Sequence, residues 1–196
     1  MSIFQLKQSL ADPVDLHGVI KIQLGQPKHV LISTYLTRLD QALIAWGMVT
    51  AIIFLIAQSY LLDWPTQAVV WSALSCVEIA VSGKLTWFWV TTRNQRWIFY
   101  GWSMLVIAGL GLTNGGIFGG WGFILRHLCA LWLGISALGY LMTGIGIKAP
   151  ALIAIGLVHA CTIPSLTLLP QHQFLLTGAV MSVSLWLLAA FHWEHT

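Results

Sequence analysis

The stretch QALIAWGMVTAIIFLIAQSYLL, Gln41 to Leu62, contains no Asp, Glu, Lys or Arg. A helix crosses the ~30 Å hydrocarbon core of a bilayer with ~20 such residues, so this run reads as a membrane span. Five more runs follow it: Thr66 to Val90, Trp97 to Thr113, Ile117 to Met142, Ala149 to Leu169 and Gln173 to Phe191. The third is short, and the second and fourth are long enough to tilt. Breakers fall between them, namely Asp63-Trp64-Pro65, Arg93-Asn94-Gln95-Arg96, Asn114-Gly115-Gly116, Gly146-Ile147-Lys148 and Pro170-Gln171-His172. Loops this short predict antiparallel packing of consecutive helices.

Composition agrees. Of the 196 residues, 58% are hydrophobic and 8% charged, and 11 are Trp; soluble domains lie far from these values. The expected fold is an all-α integral membrane protein with a six-helix transmembrane domain over residues 41–196 and an amino-terminal extramembrane segment over 1–40. Because the first apolar run starts only at Gln41, the layout is not that of a cleaved signal peptide, and the first span is expected to direct insertion.

Orientation follows from the cations. Lys7, Lys21, Lys28 and Arg38 precede the first span, Arg93 and Arg96 separate the second and third, and Lys148 separates the fourth and fifth. By the positive-inside rule both termini are expected to be cytoplasmic or stromal. Trp64, Trp87, Trp89, Trp97, Trp121 and Trp193 fall near span ends, as interfacial aromatic belts do. The net charge of +3 therefore belongs to one membrane face. It fits contact with lipid headgroups, and the dense basic surface of a nucleic-acid binder is not present.

In the first forty residues, Ser2 to Leu10 reads as a short amphipathic helix. Val19 to Leu24 and His29 to Ile32 read as strands joined by a loop Gly25-Gln26-Pro27-Lys28. Two strands alone are marginal in water, so this hairpin would need the membrane or a partner subunit. The competing expectation is a polar tail without regular structure.

Charges inside apolar spans are costly, and each is a functional candidate. From the expected span ends and 1.5 Å per residue, Glu78 lies ~18 Å deep, Arg126 ~14 Å and His159 ~15 Å, with His127 beside Arg126. These four are expected to share one layer near the midplane. Trp71, Ser75, Glu78, Ser82 and Leu85 share a face of the second span, and Gly119, Gly122, Arg126, Cys129, Leu133 and Ala137 share one of the fourth. A Glu78–Arg126 ion pair is expected, acting as a structural lock or as part of an ion or proton relay. Lys84 lies ~9 Å from a span end and is expected to snorkel.

His127 and His159 are the cofactor candidates. A neutral imidazole can ligate haem iron or chlorophyll magnesium, although a helix-to-helix hydrogen bond is the plainer role. The i,i+3 pair His192 and His195 lacks a third ligand and reads as an interfacial tail. Cys76, Cys129 and Cys161 lie within spans and form no CxxC, so they read as small core residues. The sequence contains no GxSxG, HExxH, Walker A or GxGxxG motif. Asn114 to Gly122 is Gly-rich with GxxxG spacing, which favours close packing or an unwound helix, and Pro164 is expected to kink the fifth span; together they would frame a cleft. The two halves show no convincing inverted repeat.

With Trp- and Gln-rich short loops, a polar amino-terminal lead and membrane histidines, the layout of the whole chain resembles small multispanning proteins of cyanobacterial and chloroplast thylakoids. Some of those accompany photosystem subunits and chlorophyll during assembly. The resemblance implies pigment and other integral membrane subunits as partners, in a thylakoid or bacterial inner membrane. The functional expectation is a non-enzymatic accessory or assembly subunit. A small transporter or channel with a Glu/Arg/His relay, and a membrane haem or redox protein, are the alternatives.

Overall fold

A computed structural model describes residues 5–6, 20–26, 29–59 and 61–192. It contains six helical stretches long and apolar enough to cross a membrane: Arg38–Ser59, Trp64–Thr92, Arg96–Phe118, Leu128–Gly146, Pro150–Leu168 and Pro170–Ala190. The protein is therefore a multi-pass integral membrane protein whose outer helix faces contact lipid.

The first span is α1 (Arg38–Ser59). It opens on a reciprocal cap: Thr37 N–H donates to Asp40 Oδ2 at 2.7 Å, and Asp40 N–H to Thr37 Oγ1 at 3.2 Å. Two otherwise orphaned amides are thus satisfied. Helix α2 (Trp64–Thr92) begins behind the N-cap Asp63, which accepts from Thr66 N–H at 3.2 Å, with Pro65 in its first turn. Its 29 residues exceed what a straight crossing needs. The turn after it passes through Asn94 at φ 54°, a left-handed position that Asn tolerates. Helix α3 (Arg96–Phe118) follows.

The next segment departs from the sequence expectation. Asn114, Gly115 and Gly116 do not form the turn; they continue α3, where the Asn114 amide donates to Ser72 Oγ on α2 at 2.9 Å. The chain reverses at Gly120, whose φ of 67° favours glycine. A five-residue helix, α4 (Gly122–Arg126), is followed by a break at His127 (φ −113°, ψ 19°) before α5 (Leu128–Gly146). The expected span from Ile117 to Met142 is therefore broken, and only its second part crosses the membrane. Helix α6 (Pro150–Ser165) carries Pro164 in its last turn, where the chain tightens into 3-10 geometry at Leu166–Leu168 and again at Pro170–His172. The last span is formed by α7 (Gln173–Ala190).

Packing is sequential for α1 on α2, α2 on α3, α3 on α5 and α5 on α6, but α7 leaves α6 and packs most extensively on α1. At that crossing a Cβ on Gly178 would lie 2.6 Å from Phe54 Cβ, so only glycine allows the approach. Helix α5 is the most central: half of its span is buried, against 28% for each of the first three. First and last helices meeting in this way closes the bundle around an interior.

Outside the spans, β2 (Ile20–Gln26) and β3 (His29–Leu36) form an antiparallel ladder from Ile20↔Leu36 to Gln26↔His29, with a register irregularity at Leu24 and Gly25. Gly25 and Gln26 therefore belong to the ladder, whereas Pro27 and Lys28 lie outside the described residues. Gln5 and Leu6 form β1, paired antiparallel with β4 (Phe191–His192), instead of the amphipathic helix expected over Ser2 to Leu10; the rest of that stretch lies outside the described residues. The extended backbone of Phe191 and His192, just past α7, supplies the hydrogen-bond partners of β1. The paired strands β1 and β4 mark one face of the bundle, the terminal face. The α1–α2 turn lies on the opposite, far face.

Candidate functional site

The interior holds a cavity of about 220 Å³ bordered by α1, α2, α3, α5, α6 and α7. Trp71 and Trp89, both at its wall, are eighteen positions apart on α2, or ~27 Å by helix rise. The cavity therefore extends along most of the bundle. Its wall is mainly aliphatic and aromatic, with Ser and Thr side chains interspersed.

On α2 the wall includes Trp71, Ser75, Ser82, Thr86 and Trp89, and Glu78 is buried on the same helical face without bordering the cavity. The sequence identified this face correctly except that Thr86, rather than Leu85, extends it. Glu78 is 5% exposed and its carboxylate accepts from Ser82 Oγ at 3.1 Å. Thr86 Oγ1 donates to the Ser82 carbonyl at 2.7 Å, so this hydroxyl is turned onto its own helix.

His159 is fully buried on α6 and borders the same cavity. Its Nδ1 lies 2.9 Å from the Ile155 carbonyl oxygen. A carbonyl only accepts, so Nδ1 carries the hydrogen, and a neutral ring then leaves Nε2 with a bare lone pair. That Nε2 is buried and has no hydrogen-bond partner. The Tyr140 ring packs 5.1 Å away at 47° and fixes the imidazole from the α5 side. An unpartnered acceptor in apolar surroundings costs free energy until a donor or a metal reaches it. Two unpartnered donors, Trp71 Nε1 and Trp89 Nε1, belong to residues at the ends of the same cavity.

Arg126 and His127 do not join this site. The 19 residues of α5, at ~28 Å, span the ~30 Å core without help from α4. Arg126 and His127 therefore sit at the far-face boundary instead of ~14 Å deep. Both are exposed; Arg126 Nε donates to the Gly122 carbonyl at 3.2 Å, and His127 Nδ1 bonds the Phe123 carbonyl at 2.8 Å. The expected Glu78–Arg126 pair is absent because the helix break removes the need for it: a guanidinium at the interface is already solvated. Of the four residues expected in one layer, the structure keeps Glu78 and His159 inside and puts the other two at the edge. Lys84 is exposed, as snorkelling requires.

Sequence reasoning missed the polar ties that hold the cavity wall. Trp102 Nε1 donates to Thr143 Oγ1 at 3.0 Å and Trp132 Nε1 to Thr113 Oγ1 at 3.2 Å, both between α3 and α5. The available signal was Trp on one span and Thr on its neighbour, since a buried indole N–H needs an acceptor. Cys76, Cys129 and Cys161 are free thiols. Comparison with family models, curated proteins and solved structures finds no match to this chain.

Proposed function

We propose that this chain is a non-enzymatic accessory subunit of the membrane that holds a small uncharged ligand in its central cavity and packs against other integral membrane subunits. The observation that carries the reading is the cavity of about 220 Å³ inside the bundle, bordered on α6 by His159, whose Nε2 is buried and unpartnered. Subunit packing is supported by the far-face patch of Phe118, Trp121 and Phe123, large side chains that are 57–68% exposed beside Arg126 and His127. With Arg38, Arg93, Arg96 and Lys148 near the terminal face, that face is the cytoplasmic or stromal one. The membrane is a thylakoid or a bacterial inner membrane.

A pigment or haem has two candidate ligands. At His159 the donor arrangement suits axial ligation, with Nδ1–H held by a carbonyl, but 220 Å³ falls below the roughly 300–1,000 Å³ of ordinary ligand pockets. We therefore propose no tetrapyrrole there. At His127 the ring is exposed and its Nδ1 is held by Phe123, so a chlorophyll or haem shared with a partner subunit would be ligated at that residue. Gentle purification tests the proposal: larger subunits and a solvent-extractable ligand should accompany the protein. A colourless, ligand-free monomer would refute it.

A second reading, an ion or proton path, is favoured by one observation. Glu78 bonds Ser82, which borders the same cavity as His159. For this path, Glu78→Gln must abolish proton flux in proteoliposomes while the protein remains folded.

A further inference from the structure

Helix α2 has 29 residues, ~43 Å by helix rise against a ~30 Å core, so its ends stand beyond the hydrocarbon. Its last turns therefore reach the headgroup layer of the terminal face. Lys84 and Trp87 lie there at i,i+3, which makes them neighbours on the helix surface, and both are exposed. From the start of α3, the Arg96 guanidinium carbon comes within 5.7 Å of the Trp87 ring centroid. Two cations thus flank one indole.

Helices α2 and α3 are held together at this point. Gly83 leaves room for Phe99, whose Cζ would meet a Cβ there at 3.0 Å, and the rings of Trp87, Phe99 and Tyr100 stand edge-to-face with centroids between 5.9 and 6.4 Å apart. This ring cluster fixes the surface on which Arg96 lies. A cation–π contact uses none of the guanidinium N–H donors, so Arg96 keeps them for an anion. Tyr100, exposed and one turn after Arg96, adds a hydroxyl.

The acids among the described residues lie elsewhere. Asp40 is buried in the α1 cap, Asp63 caps α2 at the far face, and Glu78 is buried while Lys84, six positions on, is exposed. Deeper in the membrane the surface turns apolar: Met104 and Ile107 follow Tyr100 along α3, and Ala80 and Cys76 precede Lys84 on α2, all of them exposed. Positive charge at headgroup depth therefore stands directly above a face made for hydrocarbon.

We infer that the α2–α3 turn carries a binding site for an anionic phospholipid, whose phosphate lies between Lys84 and Arg96 beside Trp87 and whose acyl chain runs toward Met104 and Ile107. The site is separate from the cavity and stands whatever the cavity holds. A zwitterionic lipid would bring its own cation up to the pair, and a soluble phosphate would leave the apolar surface unused.

The full chain in mild detergent can be titrated with phosphatidylglycerol and with phosphatidylcholine of the same acyl chains, and bound lipid counted by native mass spectrometry. At about fivefold per cation, phosphatidylglycerol should be retained about twenty-fivefold better. Lys84→Gln and Arg96→Gln should each lose about fivefold of that preference, and the double variant all of it. Arg96→Lys should keep most of it, and Lys148→Gln, on the other terminal-face turn, should change nothing. Equal retention of the two lipids overturns the inference, as does a preference that survives in the double variant. Displacement of phosphatidylglycerol by an equal concentration of glycerol phosphate would assign the site to a soluble phosphate and overturn it too. Should the double variant fail to fold, the contrast between Arg96→Lys and Arg96→Gln decides, and the same preference in both counts against the site.

Discussion

Trp102 on α3 donates its indole N–H to Thr143 Oγ1 on α5 at 3.0 Å, and Thr143 passes its own hydrogen to the Gly139 carbonyl at 2.8 Å. A side chain of one helix is thereby anchored to the backbone of the most central one. Both residues border the cavity, so the chain of bonds also sets its width. Thr143→Val keeps the shape and removes the acceptor, which should cost ~0.5–2 kcal/mol, given modest hydrogen bonds in membranes plus an orphaned indole donor. Thr143→Ser should recover most of that. Thermal unfolding in detergent checks both; a Val variant as stable as wild type would mean that the indole finds another acceptor.

The α1–α7 contact depends on the missing side chain of Gly178. Gly178→Ala puts a methyl 2.6 Å from Phe54 Cβ and 3.3 Å from its Cγ, so the helices must separate. Overpacking of this kind costs ~1–3 kcal/mol. Phe54→Ala in the Gly178→Ala background should restore little, because the Cβ at 2.6 Å remains, whereas Phe54→Gly, which removes that atom, should restore part of the loss. Strictly additive effects in that cycle would place the strain elsewhere.

Glu78 and Arg126 should act independently. Glu78 is bonded to Ser82 inside the bundle, and Arg126 to Gly122 at its far edge, so a double-mutant cycle of Glu78→Gln and Arg126→Gln should show a coupling below ~0.5 kcal/mol. A coupling of 2 kcal/mol or more, roughly what a buried pair gives, would restore the ion pair. The disagreement marks where the sequence stops being informative. Six spans and the buried face of α2 were legible because hydropathy and helical period are local properties. The break at His127 was not, since Asn114 to Gly122 reads equally well as a turn or as helix. What settles it is tertiary: Asn114 finds Ser72 on α2, α3 therefore continues to Phe118, and the reversal moves to Gly120. Every depth assigned along Ile117 to Met142 moves with it. His159 kept its place because no such ambiguity precedes it on α6; its unpartnered Nε2 emerges only when the surrounding helices are assembled.

Asp63 gives the far-face end of α2 a pH dependence. Hydrogen bonds from the Thr66 side chain and from its backbone N–H hold the Asp63 carboxyl below its ordinary 3.8. A depressed value in the folded state means that the cap contributes fully above the unfolded value and is lost as pH falls through the folded one. Thermal stability should therefore be flat above ~pH 5 with respect to this group and decline below it. Asp63→Asn should cap without that decline, and Asp63→Ala should lower the melting temperature at every pH. Identical acid limbs for wild type and Asp63→Asn would exclude the cap as their source.

Replacing His159 separates a ligand site from a structural histidine by the sign of its effect. If the imidazole served only the fold, His159→Leu would destabilise the protein whatever is bound, since the Nδ1 bond to Ile155 is lost. That bond is weak support, however, because the Ile155 carbonyl already lies within a helix and keeps its main-chain partner. The unpartnered Nε2 works in the opposite direction, as a buried acceptor that costs ~1–3 kcal/mol while unmet. In delipidated protein His159→Leu should therefore raise the melting temperature or leave it unchanged. With the ligand extracted from the purified protein added back, the wild type should gain stability by mass action and the variant should not. A variant that melts well below wild type under both conditions would assign His159 to the fold alone.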